Sequence, residues 1–119
     1  MSILTRATML AAALLVLPSS AHAEATGREF LQNIDKGGES AEVYKLALFA
    51  YSTGIGWAHS AMTNDGAAPA YCVPDTLSIT ADQVLSMVRE AVKAQPELKE
   101  LPAGLVVWAA YLYTFPCRP

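Results

Sequence analysis

Basic residues are scarce in this sequence, and their scarcity excludes one large class of functions. The 119 residues include 8 lysines and arginines against 11 aspartates and glutamates, which gives a formal net charge of −3. A protein that binds nucleic acid needs a basic stripe to neutralise phosphates, and the sequence contains no such stripe. We therefore expect no nucleic-acid partner, and the length leaves room for a single domain.

The sequence also lacks an apolar run long enough to cross a membrane. The run Met9–Leu17 is about half as long as the ~20 residues that a transmembrane helix needs. Arg6 precedes this run and Ala21–Ala23 follows it as an A-x-A cleavage site, which together are typical of a secretory signal peptide. We predict cleavage after Ala23 and one helical domain over residues 24–119, with no membrane attachment after cleavage. The alternative is a buried N-terminal helix.

Cysteine and histidine are equally rare, with two of each. An exported chain meets an oxidising compartment, so the even number of cysteines favours a disulfide between Cys72 and Cys117. The alternative is a metal site built on the two thiols. The sequence has no C-x-x-C pair, however, and His59 would be the only histidine left after cleavage. We expect a disulfide, with no metal and no cofactor.

Patterns that would indicate catalysis are missing as well. His59 has no recognisable nucleophile beside it, so we expect a packing residue rather than a general base. Gly54–Gly56 spells G-x-G without the third glycine of a nucleotide site, which favours close helix packing. Asp65, Asp75 and Asp82 are scattered over turn and cap positions and form neither an acid–base pair nor a calcium loop. The sequence therefore predicts a protein that is not an enzyme.

The sequence does contain clear helical patterns. The spacing of apolar residues predicts four helices, over about 26–34, 40–62, 80–95 and 103–115. Thr26–Glu29 and Thr80–Gln83 fit capping boxes, and Ser40 can cap the second helix. Gly37–Gly38 ends the first helix and Pro96 the third. We predict an all-α fold, a small four-helix orthogonal bundle closed by one disulfide.

The second helix carries an apolar stripe that we expect to face the core. Its members recur at steps of three and four residues: Val43, Leu46, Ala47, Ala50, Gly54, Trp57, Ala58 and Ala61. The fourth helix has a comparable face, which includes Trp108 and Leu112. We therefore predict that these two helices pack through Gly54, Trp57, Trp108 and Leu112.

Five short motifs follow one another in an order that resembles the Rap/Tai immunity family. They are Tyr51–Gly54, Tyr71–Pro74, Gln83–Val84, Gln95–Glu97 and Phe115–Cys117. The resemblance covers Tyr51 to Cys117. It implies a four-helix periplasmic fold similar in outline to HdeA-type acid-stress chaperones. It also implies that the protein inhibits a cognate peptidoglycan amidase effector delivered by type VI secretion.

The sequence departs from the family pattern in one respect. Family members commonly carry a second cysteine pair, on the first helix and shortly before the Y-x-x-G motif. The corresponding neighbourhoods here, Asn33–Ile34 and Leu46–Leu48, contain no cysteine. An apolar contact in place of a disulfide would keep the packing and lose a covalent tie on the first helix.

An inhibitor of this kind needs an irregular segment on a rigid scaffold, and residues 64–76 are the natural candidate. The segment contains Pro69 and Pro74 and is attached at Cys72, which lowers the entropy lost on binding. We expect Asn64, Asp65, Tyr71 and Asp75 to contact the effector, with Tyr71 as an aromatic anchor. The alternative for Tyr71 is packing beside the disulfide.

A second function remains open from the sequence. The 11 carboxylates would lose their charge at low pH, which would loosen the chain and expose apolar surface, as in an acid-activated holdase. A holdase would bind many unfolded clients at about pH 2–3, whereas an immunity protein would bind one folded amidase at neutral pH. A homodimer is compatible with both functions.

Overall fold

A computed structural model of the protein describes residues 24–118, which form four α-helices. The helices are α1 (Gly27–Asp35), α2 (Gly38–Asn64), α3 (Ala81–Ala94) and α4 (Ala103–Thr114), and a 3₁₀ helix (Pro96–Glu100) joins the last two. The predicted all-α fold with four helices and one disulfide is confirmed. The predicted signal peptide lies outside the described residues.

Local signals set the starts of α1 and α3 as predicted. The Thr26 hydroxyl accepts a hydrogen bond from the Glu29 N–H at 3.3 Å, and the Glu29 carboxylate accepts one from the Thr26 N–H at 3.0 Å. Thr80 and Gln83 repeat this reciprocal arrangement, at 3.2 and 2.8 Å. Each capping box satisfies backbone donors that have no partner inside the helix.

The start of α2 differs from the prediction. The helix begins at Gly38 rather than after Ser40, and its N-cap is Gly37, which offers no side chain for capping. Gly37 and Gly38 have φ values of 74° and 77°, in the left-handed region that glycine adopts without strain. The glycine pair therefore both ends α1 and turns the chain directly into α2.

The N-terminal segment is held against the start of α4. The Gly27 N–H donates to the Leu101 carbonyl at 3.0 Å, and the Ala103 N–H donates to the Ala25 carbonyl at 2.9 Å. Helix α4 has no side-chain cap of its own, but the Glu24 carboxylate accepts from the Gly104 N–H at 3.3 Å. A negative charge at this position also complements the positive end of the helix dipole.

The core lies between the helices and consists of aliphatic and aromatic side chains. The largest side chains that are fully buried are Leu48, Val84, Val88, Val106 and Val107. The neighbourhoods where the resemblance would place a second cysteine pair contribute Ile34 and Leu48, which are 8% and 1% exposed and belong to this core. Apolar packing therefore occupies the positions around the absent disulfide.

Ion pairs connect the helices at the surface. Arg89 contacts Asp35 at 2.7 Å, and Lys45 contacts Asp82 at 2.8 Å. Exposed pairs of this kind contribute about 0–1 kcal/mol each, so they align the helices more than they stabilise them.

The predicted inward face of α2 is wrong. Val43 and Leu46 are each 65% exposed and Trp57 is 74% exposed, so most of the predicted stripe faces away from the core. The buried residues Ala41, Leu48 and Ser52 define the true inward face. Because α2 is apolar on both sides, its periodicity alone does not reveal which side meets the other helices.

Helices α2 and α4 pack together as predicted, and Trp108 lies against the core, but the other three predicted residues do not form the contact. Gly54 is exposed and has open space around it, and Leu112 is 39% exposed. The two helices instead meet where the hydroxyls of Ser52 and Tyr111 share a buried hydrogen bond of 2.6 Å. This polar contact fixes the register of α2 against α4, because either hydroxyl alone would be buried without a partner.

The assignment of the two faces of α2 can be tested with two leucines that lie two positions apart. Leu48→Ala should lower the free energy of unfolding by about 2–5 kcal/mol, because it leaves a cavity at a site that is 1% exposed. Leu46→Ala should cost less than about 0.5 kcal/mol, because that side chain is 65% exposed. Urea unfolding in dilute solution measures both values. Equal losses would contradict the assignment.

The hydrogen bond between Ser52 and Tyr111 provides a second test. Tyr111→Phe should lower the free energy of unfolding by about 1–3 kcal/mol, because the buried Ser52 hydroxyl is left unsatisfied. Tyr113→Phe is the matched control, since that ring is 49% exposed and its loss of a hydroxyl should be nearly neutral. If thermal melts show no difference between the two variants, the buried bond does not determine this contact.

Candidate partner-binding site

Residues 65–80 connect α2 to α3 and contain no regular helix or strand. The connection begins with a turn at Gly66, whose φ of 96° requires glycine. Its extended part returns along the C-terminal half of α2, where residues 67–79 and the helix line one groove. The chain therefore presents an irregular segment at the predicted position.

One end of this segment is attached to α4. The disulfide joins Cys72 to Cys117, and the Cys72 N–H donates to the Phe115 carbonyl at 2.8 Å. The predicted disulfide is thus confirmed, and no free cysteine occurs in residues 24–118. The covalent bond and the backbone hydrogen bond together fix Cys72 relative to the end of α4.

A second attachment joins the segment to α2 through His59. The Nε2 atom of His59 accepts a hydrogen bond from the Ala70 N–H at 3.2 Å. The imidazole also stacks on the ring of Tyr71, with centroids 4.0 Å apart and planes inclined by 16°. This arrangement agrees with the prediction that His59 is a packing residue.

Tyr71 occupies the space between α2 and α4. Its ring also contacts Tyr111 and Trp108, at centroid distances of 4.8 and 5.7 Å. The residue is 4% exposed, and burial, together with the nearby Tyr111, raises the pKa of its phenol. Tyr71 therefore packs beside the disulfide and offers no exposed ring to a partner. The prediction that Tyr71 is an aromatic anchor for a partner is therefore wrong. Contacts with α2 and α4 hold its ring in the core instead.

The other residues predicted to contact a partner lie at the surface. Asn64 is the last residue of α2, Asp65 is its C-cap, and both are exposed. Asp75 is exposed and lines the groove between α2 and residues 67–79. No lysine or arginine occurs between Lys45 and Arg89, so this stretch of sequence is neutral to acidic.

The groove has a volume of about 740 Å³. Aromatic rings and hydroxyl groups dominate its lining, which includes Phe49, Trp57, Ser60, Thr63, Tyr71 and Tyr111. Trp57 is 74% exposed, which gives a large ring that is free to enter a partner's pocket. A smaller groove of about 550 Å³ lies where Leu77 and Ile79 meet α3 and the end of α4, and it contains none of the predicted contact residues.

Trp57 is the functional candidate that sequence reasoning missed. Its spacing places it in the apolar stripe of α2, which the sequence predicts to face the core. One signal could have identified it: no charged residue occurs between Leu46 and Asn64, although one side of a surface helix is normally charged or polar. A long helix whose exposed side carries no charge indicates a second contact in addition to the core.

The site contains no arrangement that suggests catalysis. The hydroxyls of Ser52 and Tyr111 bind each other, and Asp82 pairs with Lys45 on α2. Within the described part of the chain, no three His, Cys, Asp or Glu residues are placed to hold a metal ion. What this surface offers is shape, exposed rings and hydrogen-bonding groups.

None of the helices in residues 24–118 combines the length and the apolarity needed to cross a membrane. Searches of curated proteins and of solved structures found no match to the chain. The family model of Rap1a immunity proteins matches residues 26–117, from the capping box of α1 to the second cysteine. This match covers the whole helical domain and its disulfide. The chain therefore belongs to the Rap1a immunity protein family.

Proposed function

We propose that this protein is a periplasmic immunity protein that binds and inhibits a peptidoglycan amidase effector delivered by type VI secretion. Membership of the Rap1a immunity family indicates an effector immunity protein. The amidase and the secretion route are inferred from the five sequence motifs that resemble the Rap/Tai family. The periplasmic location is inferred from the signal-peptide pattern in residues 1–23.

One observation carries the proposal: an exposed groove lies beside residues 67–79, and this segment is attached both to α4 and to α2. The disulfide at Cys72 attaches the segment to α4, and the Ala70 hydrogen bond attaches it to α2. A partner that binds here meets a surface that is already ordered, so less conformational entropy is lost on association. Rigid presentation is what an inhibitor that acts by occlusion requires.

Trp57 is the aromatic anchor that the proposal requires in place of Tyr71. Tryptophan is the residue type most often found where truncation weakens a protein interface strongly. Trp57 lines the groove and is 74% exposed, and Asp75 supplies a carboxylate to the same groove. In the complex, the Trp57 ring would be buried against the effector and the Asp75 carboxylate would accept hydrogen bonds from it. The bound immunity protein would then block the entrance to the amidase active site without performing any chemistry.

The outer face of α2 also supports a homodimer of the free protein, which effector binding would replace because both surfaces include Trp57. The outer face comprises Val43, Leu46, Ala50, Gly54, Trp57, Ala58 and Ala61, all of them exposed. If two copies of α2 pack antiparallel about a twofold axis between Ala50 and Gly54, each large residue meets a small one. Leu46 then lies opposite Ala58, and Val43 opposite Ala61. A self-complementary surface of this kind is what a twofold dimer requires.

The effector surface can be tested with purified protein and a candidate secreted amidase from the same organism. Trp57→Ala and Asp75→Ala should each weaken binding by about thirtyfold or more, which corresponds to about 2 kcal/mol. Asp65→Ala should weaken it less, because Asp65 does not line the groove. Glu97→Ala is the control, since Glu97 is exposed on the 3₁₀ helix. Calorimetry gives the affinities, and circular dichroism checks the fold.

If Trp57→Ala and Asp75→Ala bind the amidase as tightly as the parent, the groove is not the effector surface. If the parent does not bind the amidase at micromolar concentration, the immunity function itself fails. Binding of several unfolded client proteins at about pH 2–3 would then favour the acid-activated holdase.

The dimer is tested by placing a charge on the outer face. Ala50→Glu should convert a dimer to a monomer without loss of helix content, because position 50 is exposed and faces away from the core. Leu105→Glu is the matched control, since Leu105 is 53% exposed on α4 and lies outside the proposed interface. Sedimentation should give a dimer for the parent and for Leu105→Glu. A monomeric parent would contradict the proposed interface.

A further inference from the structure

Two grooves adjoin at residues 77–79. Leu77 and Ile79 line both the groove of about 740 Å³ beside α2, the larger groove, and the groove of about 550 Å³ beside α3, the smaller groove. The Leu77 side chain is 41% exposed, so its apolar surface is open to a partner. A partner that occupies the larger groove therefore lies directly beside the smaller one.

The boundary between the grooves has a fixed shape. The Leu77 N–H donates to the Pro74 carbonyl at 2.9 Å, which closes a turn that contains Asp75. A few residues later, the Thr80 capping box begins α3. Residues 75–79 therefore lie between a closed turn and a helix start, and little conformational entropy is lost when a partner covers them.

The smaller groove has a mainly apolar lining. Met87 of α3 is buried, whereas the ring of Tyr113 at the end of α4 is 49% exposed. Leu77, Ile79 and Phe115 complete the apolar part of the lining. A concave apolar surface of this size on a small domain is typical of an interaction site.

Each groove contains one carboxylate and no basic side chain. Among the described residues, Asp75 is the only aspartate, glutamate, lysine or arginine that lines the larger groove, and Glu90 is the only one that lines the smaller groove. Both are exposed, and neither forms an ion pair within residues 24–118. Of the cations near Glu90 in sequence, Arg89 pairs with Asp35, and Lys93 does not line the groove.

This charge pattern restricts the kind of partner that can cover the grooves. Covering a carboxylate removes its water, which costs free energy unless an opposite charge replaces that water. Because no cation of this chain lines either groove, the partner has to supply one beside Asp75 and one beside Glu90. The rings of Tyr113 and Phe115 line the same groove as Glu90 and would also attract an ammonium or guanidinium group.

We propose that the effector covers both grooves across Leu77 with one basic and apolar segment. Its apolar side chains fill the grooves, and its lysine or arginine side chains pair with Asp75 and Glu90. This inference rests on the proposed immunity function and adds to it the chemistry of the partner. An acidic segment would place like charges together in both grooves and would be rejected.

Variants of Glu90 and Leu77 test the smaller groove with a candidate secreted amidase from the same organism. Glu90→Gln should weaken binding by about fivefold or more, and Glu90→Lys by a larger factor, because the first removes an ion pair and the second creates a repulsion. Leu77→Ala should also weaken binding by about fivefold or more, because it removes apolar contact from both grooves. Added salt should weaken binding of the parent more than binding of Glu90→Gln, because salt screens the ion pair.

Each variant has a matched control that lines neither groove. Glu97→Gln and Glu97→Lys make the same charge changes on the exposed 3₁₀ helix, and Leu105→Ala shortens a leucine that is 53% exposed on α4. These controls should keep the affinity of the parent. Circular dichroism should show the same helix content for every variant.

A short peptide of alternating leucine and lysine tests the surface without the effector. In NMR spectra of residues 24–119, it should shift the methyl signals of Leu77, Ile79 and Met87, whereas a peptide of alternating leucine and glutamate should not. Glu90→Gln should reduce the shift at Met87, which lines the smaller groove only.

Equal shifts with the two peptides, or no shift with either, would overturn the proposal. An amidase affinity equal to that of the parent in both Glu90→Lys and Leu77→Ala would also overturn it, and the immunity function would stand. If the parent binds no amidase but the lysine peptide shifts the three methyl signals, the preference for a basic and apolar segment stands and the proposed function fails.

Discussion

The burial of Tyr71 between α2 and α4 is the contact on which the partner-binding side of this molecule depends. Its ring stacks on His59, packs against Tyr111 and Trp108, and is 4% exposed. The neighbouring residue, Cys72, is attached to the end of α4, so one short stretch joins two helices and the disulfide. The shape of the groove follows from these attachments, because its wall is the segment that Tyr71 and its neighbours Ala70 and Cys72 hold against α2 and α4.

Helix α2 has two different apolar sides, and this division explains both the stability and the proposed binding. One side carries Leu48 and Ser52 into the core, where Ser52 meets Tyr111. The other side carries Leu46 and Trp57 outward, and no charged residue interrupts it up to Asn64. An exposed apolar surface on a small domain is a common property of interaction sites. Because the chain belongs to an immunity protein family, a surface of this kind is expected for binding an effector.

The sequence predicted the features that depend on neighbouring residues. The capping boxes at Thr26 and Thr80 can be read from four consecutive residues each, and the disulfide follows from the presence of only two cysteines. The inward face of α2 was not predictable from periodicity, because both of its faces are apolar. For Tyr71, only the tertiary contacts with α2 and α4 distinguish a packing residue from an interface anchor. The hydrogen bond from Ala70 to His59 joins residues 11 positions apart, and no sequence motif predicts it.

Inhibition of a peptidoglycan amidase is the measurement that tests the central claim most directly. Residues 24–119 would be mixed at neutral pH with a candidate secreted amidase from the same organism, and release of peptidoglycan stem peptides would be followed. The account predicts that amidase activity falls to background at one equivalent of mature protein, and that reducing the disulfide between Cys72 and Cys117 weakens this inhibition. Full amidase activity in the presence of a large excess of folded, oxidised protein would contradict it.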